Sequence, residues 1–204
     1  MSLIHRIARR SWIVFLTAGL LALGYAAHVE IGVRAYQRAE ATRFAEERAA
    51  ATAAAAELSS AAALKAVVRI PADGETIGQI VIPRLELAVM IAQGDSAQIL
   101  ERGVGHLPST ALPGVTGNVA LAAHRDTFFR PLKDIREGDA ITLKTARGDF
   151  DYVVEATSVV KPTDVQVLEP TGGQTLTLIT CFPFYYVGAA PNRFIVRARL
   201  TPVS

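Results

Sequence analysis

A single cysteine stands where a predicted strand gives way to a loop. Cys181 closes the β-branched run Thr175–Cys181 and is followed by Phe182-Pro183-Phe184, which is the pattern of a strand end. The chain has no second cysteine, so an internal disulfide or a multi-thiolate metal site is excluded. An isolated cysteine is more often a small buried hydrophobe than a nucleophile. Because a free thiol is mostly protonated at neutral pH, a nucleophilic role requires a base or a cation nearby.

A histidine occupies the same kind of position elsewhere in the chain. His124 ends a second predicted strand, Asn118–His124, and runs into Arg125 and Asp126. Since a histidine titrates near neutral pH, it can take the proton of a thiol and later protonate a leaving amine, as acyl transfer requires. The alternative is a turn histidine held by Asp126.

An arginine begins the last predicted strand. Arg193 opens Arg193–Leu200 and follows Cys181 across a loop rich in aromatic residues, proline and alanine. A hairpin-like connection would bring it beside the thiol. Arginine stays protonated and offers a forked donor, so it can hold an oxyanion without competing for the proton. The alternative is a solvated strand arginine like Arg197 and Arg199.

The elements that must position these residues are mostly strands. After Ala66, short β-branched runs alternate with Gly and Pro, a texture typical of a closed barrel or a sandwich. Helix is expected only at Ser96–Arg102 and in a turn near Leu132–Arg136. The candidate strands are Val67–Ile70, Ile77–Ile82, Leu87–Ala92, Asn118–His124, Ala140–Lys144, Asp151–Thr157, Thr175–Cys181 and Arg193–Leu200.

The N-terminal segment predicts membrane insertion. Ser11–Ala27 contains no charged residue and follows Arg6, Arg9 and Arg10. It is as long as the shortest spanning helices and longer than most signal-peptide cores. An uncleaved signal anchor is therefore favoured over a cleavable peptide. Because the uncompensated basic residues precede the segment, we expect a cytoplasmic N-terminus and a domain on the extracytoplasmic side of the inner or plasma membrane, with a single pass.

A helical spacer is expected after the anchor. Half of the residues in Ala41–Ala66 are alanine and none is Gly or Pro, which favours helix strongly. We expect a solvated stalk over His28–Ala66 that holds the next domain up to roughly 60 Å from the bilayer, at about 1.5 Å per residue. The predicted organisation is a basic tip and anchor over 1–27, the stalk over 28–66 and a β domain over 67–204.

The charge balance excludes some functions. The chain has a net charge of +2, and the part after Ala66 is close to neutral, which argues against nucleic-acid binding. Asp73, Glu75 and Glu86 form no dense carboxylate loop of the kind that binds calcium. No metal and no other cofactor is expected.

Several spaced motifs resemble those of sortases, the cysteine transpeptidases of bacterial surfaces. The segment Thr175–Cys181, continued through Phe182-Pro183-Phe184 to Arg193-Phe194-Ile195-Val196, resembles the sortase signature. Upstream, Gly103–Pro108, Ala111–Gly114 and Gly117–Phe129 match in the same order. The subtype most resembles class D or the related sortases of Gram-negative bacteria. One departure is Ala123, where the family usually has glycine before the histidine.

The resemblance implies an eight-stranded β-barrel, preceded here by the transmembrane helix and the Ala-rich stalk. It implies a catalytic trio of His124, Cys181 and Arg193, with Thr180 and Phe182 at the substrate. His106 is a further candidate for substrate contact, although it is expected to order the loop that leads to Pro108. The aromatic loop Phe182–Tyr186 either walls the substrate groove or caps the barrel.

The activity implied is cleavage of a C-terminal sorting signal resembling Leu-Pro-any-Thr-Gly. A thioester on Cys181 would transfer the acyl group to an amine of another protein or of the cell envelope. The partners would be a secreted protein, the amine acceptor and the membrane. Two alternatives remain open on the residues alone: a hydrolytic cysteine peptidase with the same trio, and a membrane-tethered barrel that binds proteins without catalysis.

Overall fold

The computed structural model describes residues 3–57, 69–186 and 188–201. A long helix, α1 (Leu3–Glu57), precedes a β domain that includes one short helix, α2 (Ala97–Leu100). The strands are β1 (Thr76–Ile82), β2 (Leu87–Gln93), β3 (Val104–His106), β4 (Gly117–Ala122), β5 (Ala140–Thr145), β6 (Gly148–Val160), β7 (Gln174–Phe182) and β8 (Asn192–Leu200).

The strands form a closed barrel in the order β1-β2-β3-β4-β7-β8-β6-β5. Closure pairs β5 with β1, so no strand is left with an unpaired edge. Two neighbouring pairs, β2 with β3 and β4 with β7, are parallel, and the others are antiparallel. The parallel pairing matters most for the site, because it brings the carboxyl ends of β4 and β7 to the same end of the barrel.

The side chains of the site strands alternate between the barrel core and the outer face. Leu176 and Leu178 of β7 and Val196 and Ala198 of β8 are fully buried in one core cluster. Because successive strand residues point to opposite faces, Cys181 and Arg193, each an odd number of positions from those core residues, lie on the outer face. The barrel core therefore supports the site from beneath.

Helix α1 docks one face on the barrel. Its half-buried and buried residues between Val33 and Arg48 recur at helical spacing, and Phe44 is 7% exposed. The Gln37 amide bridges two backbones: Nε2 donates to Arg102 O at 2.5 Å, and Met90 N donates to Oε1 at 2.9 Å. Gly103 permits this approach, since a Cβ there would lie 2.9 Å from Gln37 Nε2.

Two polar contacts extend this docking face along the helix. Thr76 Oγ1 donates to Glu40 Oε2 at 2.7 Å, and Arg48 Nη1 lies 2.9 Å from Asp149 Oδ1. Between Val33 and Arg48 one face of the expected solvated stalk is therefore packed against the barrel instead of exposed to solvent. The alanine-rich composition made the amphipathic face of the helix hard to recognise, because only a few larger residues mark it, although they recur at helical spacing.

The structure also differs from the expected strands and helix in detail. Strand β3 was not predicted, and Arg69 and Ile70 of the candidate strand Val67–Ile70 are not in a strand. The beginning of that candidate and the last part of the predicted stalk lie outside the described residues. Strand β4 ends at Ala122 rather than at His124, so the histidine lies two residues into the following loop.

One helix in the described part of the chain is long and apolar enough to cross a membrane. It contains the apolar run Ser11–Ala27, whose described side chains are exposed in the structure, among them Phe15 and Leu21. Exposed apolar residues over this length fit a lipid environment. The mostly β fold with an N-terminal apolar helix thus agrees with the expectation from the sequence.

Candidate active site

Cys181 and Arg193 face each other across neighbouring strands. They are directly paired in the antiparallel register of β7 and β8, and directly opposed residues present their side chains on the same face of a sheet. Both side chains are half-buried. The hairpin-like connection expected from the sequence is therefore confirmed as antiparallel pairing.

His124 follows the end of β4, which lies on the side of β7 away from β8 and Arg193. The parallel register of β4 and β7 runs without a shift from Gly117 opposite Gln174 to Ala122 opposite Ile179. β4 ends two residues before His124, and β7 continues two residues from Ile179 to Cys181. Cys181 and Arg193 on adjacent strands and His124 just past the end of β4 therefore lie toward the same end of the barrel, although they are far apart along the chain.

Two hydrogen bonds continue the β4–β7 alignment into the loop. Ala123 N donates to Ile179 O at 3.3 Å, and Thr180 Oγ1 donates to Ala123 O at 2.8 Å. Thr180 is 2% exposed, so its hydroxyl is held inside the barrel. The residues immediately before His124 and Cys181 are thereby bonded to each other, which fixes the relative height of the two functional side chains.

The peptide bond beyond His124 is also anchored. Phe129 N donates to His124 O at 3.0 Å, and the Phe129 ring is fully buried in the core. This bond closes the loop 124–129 on itself and leaves the imidazole half-buried at its rim. Asp126 is exposed and makes no hydrogen bond or ion pair to His124 within the described part of the chain, so the alternative of a turn histidine held by Asp126 receives no support.

The guanidinium of Arg193 is held near the loop that precedes β8. Its Nη1 donates to Asn192 O at 3.1 Å and lies 3.4 Å from Ala190 O. Neither partner is a carboxylate, and the other guanidinium nitrogens remain available for a ligand. Arg193 is therefore a cation beside the thiol with donor capacity in reserve.

Phe182 belongs to an aromatic cluster that closes this end of the barrel. Its ring stacks with Phe194 at 6.2 Å between centroids and meets Phe184 edge to face at 6.0 Å. Phe184 also contacts Phe194, at 5.2 Å. All three rings are half-buried, so the cluster caps this end of the barrel.

His106 is the most enclosed candidate. It is 1% exposed. Nε2 donates to Ala111 O at 2.9 Å, and Nδ1 lies 2.9 Å from the amide of Gln93. Burial lowers the pKa of His106 below its usual 6.5, opposed by the bond to Ala111. These contacts favour the loop-ordering role over substrate contact, because both ring nitrogens are already engaged.

A wide cleft of about 1530 Å³ opens beside His124. One wall is the stretch of α1 from Tyr25 to Arg38, and the other is the loop from His124 to Arg130, with Glu101 and Arg102 between them. The docked helix is thus a wall of the cleft that contains the histidine. No grouping of three or more His, Cys, Asp or Glu side chains suited to a metal occurs among the residues the structure describes.

Sequence reasoning missed two residues that organise this region. Asn118 is buried on β4, where Thr177 Oγ1 donates to its Oδ1 at 2.8 Å and its Nδ2 donates to Val167 O at 2.9 Å. Arg125 donates to Tyr186 O and Gly188 O. The sequence did contain two signals for these residues: Asn118 is a polar residue inside an apolar strand, and Arg125 directly follows the candidate base.

The fold and site define a class of protein: a closed, eight-stranded barrel with a cysteine and an arginine paired on adjacent strands and a histidine two residues past the end of the strand that runs parallel to the cysteine's strand. The family model described as the sortase domain matches residues 80–201. The chain belongs to the sortase family.

Similar proteins support class D among the subtypes considered. The chain is 35% identical over 127 residues to Sortase D of Bacillus subtilis (strain 168), a match that covers 62% of this chain and 64% of that protein. It thus spans slightly less than two thirds of that relative's length. The Sortase D5 transpeptidase of Clostridium perfringens has a similar structure, with a TM-score of 0.67, 27% identity and coverage of 82% of this chain and 99% of that chain.

A second solved structure is also similar. It is Clostridium perfringens sortase C with the C-terminal cell wall sorting motif, with a TM-score of 0.60 and 29% identity. The match covers 68% of this chain and 80% of that chain.

Proposed function

We propose that this protein is a membrane-anchored cysteine transpeptidase that cleaves a sorting signal resembling Leu-Pro-any-Thr-Gly and transfers the acyl group to an amine. The observation that carries the proposal is the direct pairing of Cys181 with Arg193 across β7 and β8, with His124 two residues past the end of β4, the strand parallel to β7. Family membership and the sorting motif bound to a similar sortase C add support.

In the first half-reaction the Cys181 thiolate attacks the carbonyl carbon of the scissile peptide bond. The negative charge moves to the carbonyl oxygen, where Arg193 and a backbone N–H near the cysteine stabilise it, at roughly 3 to 4 kcal/mol for each well-placed donor. Collapse of this intermediate breaks the C–N bond. His124 donates its proton to the departing amine, and a thioester with Cys181 remains.

In the second half-reaction a primary amine attacks the thioester. His124, now neutral, removes a proton from the amine, and the C–S bond breaks to release the new amide and restore the thiolate. Water competes for the same thioester and would give hydrolysis instead. The half-buried position of Cys181 limits the access of water to the thioester.

The remaining groups support this chemistry in different ways. Thr180 positions Ala123, and through it His124, by the hydroxyl bond described above. Phe182 offers aromatic surface for the signal peptide, and His106 orders the loop 107–111. Ser11–Ala27 anchors the chain in the inner or plasma membrane, with the barrel on the extracytoplasmic side.

The test is an acyl-transfer assay on the full-length chain in lipid nanodiscs. A signal peptide is supplied with and without an added primary amine, and the products and the protein are followed by intact mass. We expect an acyl adduct on Cys181 and an amide product that increases with amine concentration. Hydrolysis that no amine diverts would indicate a peptidase, and a Cys181→Ala variant with undiminished activity in cells would indicate a non-catalytic barrel.

A further inference from the structure

Arg125 connects the two loops that carry the site. It follows His124 directly, and its Nη2 donates to Tyr186 O at 2.6 Å and to Gly188 O at 3.2 Å. Both carbonyls belong to the loop between β7 and β8, the loop that joins Cys181 to Arg193. A single side chain therefore links the segment that carries the base to the segment between the nucleophile and the cation.

The contact has a second component. The guanidinium carbon of Arg125 lies 5.8 Å from the ring centroid of Tyr186, within the range of a cation–π interaction. Tyr186 is exposed on its other side. The planar guanidinium is thus oriented by the ring as well as by the two carbonyls, so its other two nitrogens, Nε and Nη1, have defined directions.

The Nη1 nitrogen of Arg125 has no hydrogen-bond acceptor among the described residues. Arg125 Nη1 is buried and makes no hydrogen bond within the part of the chain that the structure describes. No carboxylate forms an ion pair with Arg125 among the described residues. A buried donor without an acceptor is costly, and arginine does not lose its proton to escape that cost. A group that supplies the acceptor is therefore expected.

We propose that Arg125 is a substrate-binding and positioning residue: Nη1 donates to a main-chain carbonyl of the bound signal peptide, while Nη2 holds the β7–β8 loop against the loop of His124. This inference rests on the proposed function. A peptide carbonyl fits because the same guanidinium already binds two main-chain carbonyls, and because Arg125 lies between the candidate base and the loop after the nucleophile. Binding of the signal would complete the hydrogen bonding of the arginine.

The inference predicts a particular kinetic pattern. Arg125→Met retains much of the apolar stem and removes every donor, so we expect KM for the signal peptide to rise about tenfold or more, the usual loss for a hydrogen bond to a charged group. Arg125→Lys keeps the charge but not the fork, and an intermediate KM is expected. Arg147→Met, at the exposed turn between β5 and β6, is the matched control.

A reaction that needs no peptide binding separates this role from general disruption. Alkylation of Cys181 by iodoacetamide should slow much less in Arg125→Met, where only the loop contacts of Nη2 are lost, than acylation by the signal peptide, which also loses the Nη1 contact. Methylguanidinium in the buffer should restore part of the peptide reaction in Arg125→Met and none in Arg147→Met. Thermal unfolding of both variants establishes that they are folded, and Arg125→Lys carries the test if Arg125→Met is not.

The outcomes are distinct. A KM within twofold of the wild type in folded Arg125→Met and Arg125→Lys would overturn the inference, whatever happens to kcat. A loss of iodoacetamide reactivity equal to the loss of peptide acylation would also overturn it, since that pattern describes a damaged site. If the wild-type chain never forms the acyl adduct, the proposed function is contradicted, and this inference, which rests on it, is contradicted as well.

Discussion

Cys181 and Arg193 are directly paired residues of β7 and β8, with both side chains on the outer face of the barrel. This pairing fixes a cation beside the sulfur through the backbone ladder rather than through a flexible loop. Among the described residues, Arg193 bonds to carbonyls of its own segment and to no carboxylate, so no carboxylate there neutralises its charge. The relationship makes the identity of residue 193 more important than its charge alone.

Replacement of Arg193 by lysine should remove most of the activity. Lysine keeps the charge but presents a single rotating ammonium instead of a fork, and loss of an oxyanion donor usually lowers kcat on the order of 10²- to 10³-fold. Steady-state kinetics with a signal peptide would measure it. Arg197→Lys, four residues further along β8, is the control, and equal kcat in the wild type and Arg193→Lys would exclude the oxyanion role.

Thr180→Val tests how the loop of His124 is positioned. The substitution leaves Ala123 O without its hydroxyl donor, and we expect about 1 to 3 kcal/mol less stability, as for other unpaired buried groups. A fall in kcat should accompany it, because the height of His124 relative to Cys181 is then less well fixed. Urea unfolding and single-turnover acylation would be compared with Thr157→Val, whose side chain is exposed on β6. Unchanged acylation would show that Ala123 needs no help from Thr180.

Gln37→Ala tests the docking of α1. The variant loses both backbone bonds to Met90 and Arg102, and hydrogen exchange of residues 33–48 should accelerate while exchange in the barrel strands stays the same. Full-length protein in nanodiscs is the appropriate sample. Thr42→Ala, on the exposed side of the same helix, serves as the comparison. Equal protection in the two variants would mean that other contacts suffice to hold the helix.

Stability should decrease in mildly acidic solution because of His106. Burial lowers the pKa of its imidazole in the folded state below the usual 6.5, so the unfolded chain binds a proton that the folded protein refuses. The associated stability is complete above about pH 6.5 and is lost as the pH falls from there toward the folded pKa. Chemical unfolding across this range, repeated with His106→Gln, would isolate the effect. The same slope in both proteins would assign it to other groups.

Much of the site was predictable because strand ends carry strong local signals. The β-branched runs before Cys181 and after Arg193 identified β7 and β8, and the hairpin-like connection was confirmed. The parallel register of β4 and β7 was not predictable, since it depends on barrel closure and on hydrogen bonds such as Thr180 to Ala123. Strand β3 has only three residues, and its pairing with β2 and β4 rather than its own sequence makes it a strand.

The role of α1 illustrates a different limit. Alanine-rich sequence predicted the helix but not the surface it covers, because Gln37 and Glu40 read as solvent-facing residues until their partners Met90 and Thr76 are known. Arg125 was missed for a related reason. Its partners are backbone carbonyls. Because every residue has a backbone carbonyl, residue types cannot show which carbonyl accepts the bond.

The two hydrogen bonds of Gln37 to the barrel limit the distance between the barrel and the membrane surface. Only ten positions separate Gln37 from Ala27, the last residue of the apolar run, and a continuous helix of that length rises about 15 Å. With that run embedded in lipid, the barrel would lie close to the headgroups, and the docked helix would prevent it from moving far from the membrane surface. The height of Cys181 above the bilayer would then limit which substrates it can attack: a substrate whose scissile bond lies far above the bilayer would have to move toward the membrane to meet the sulfur.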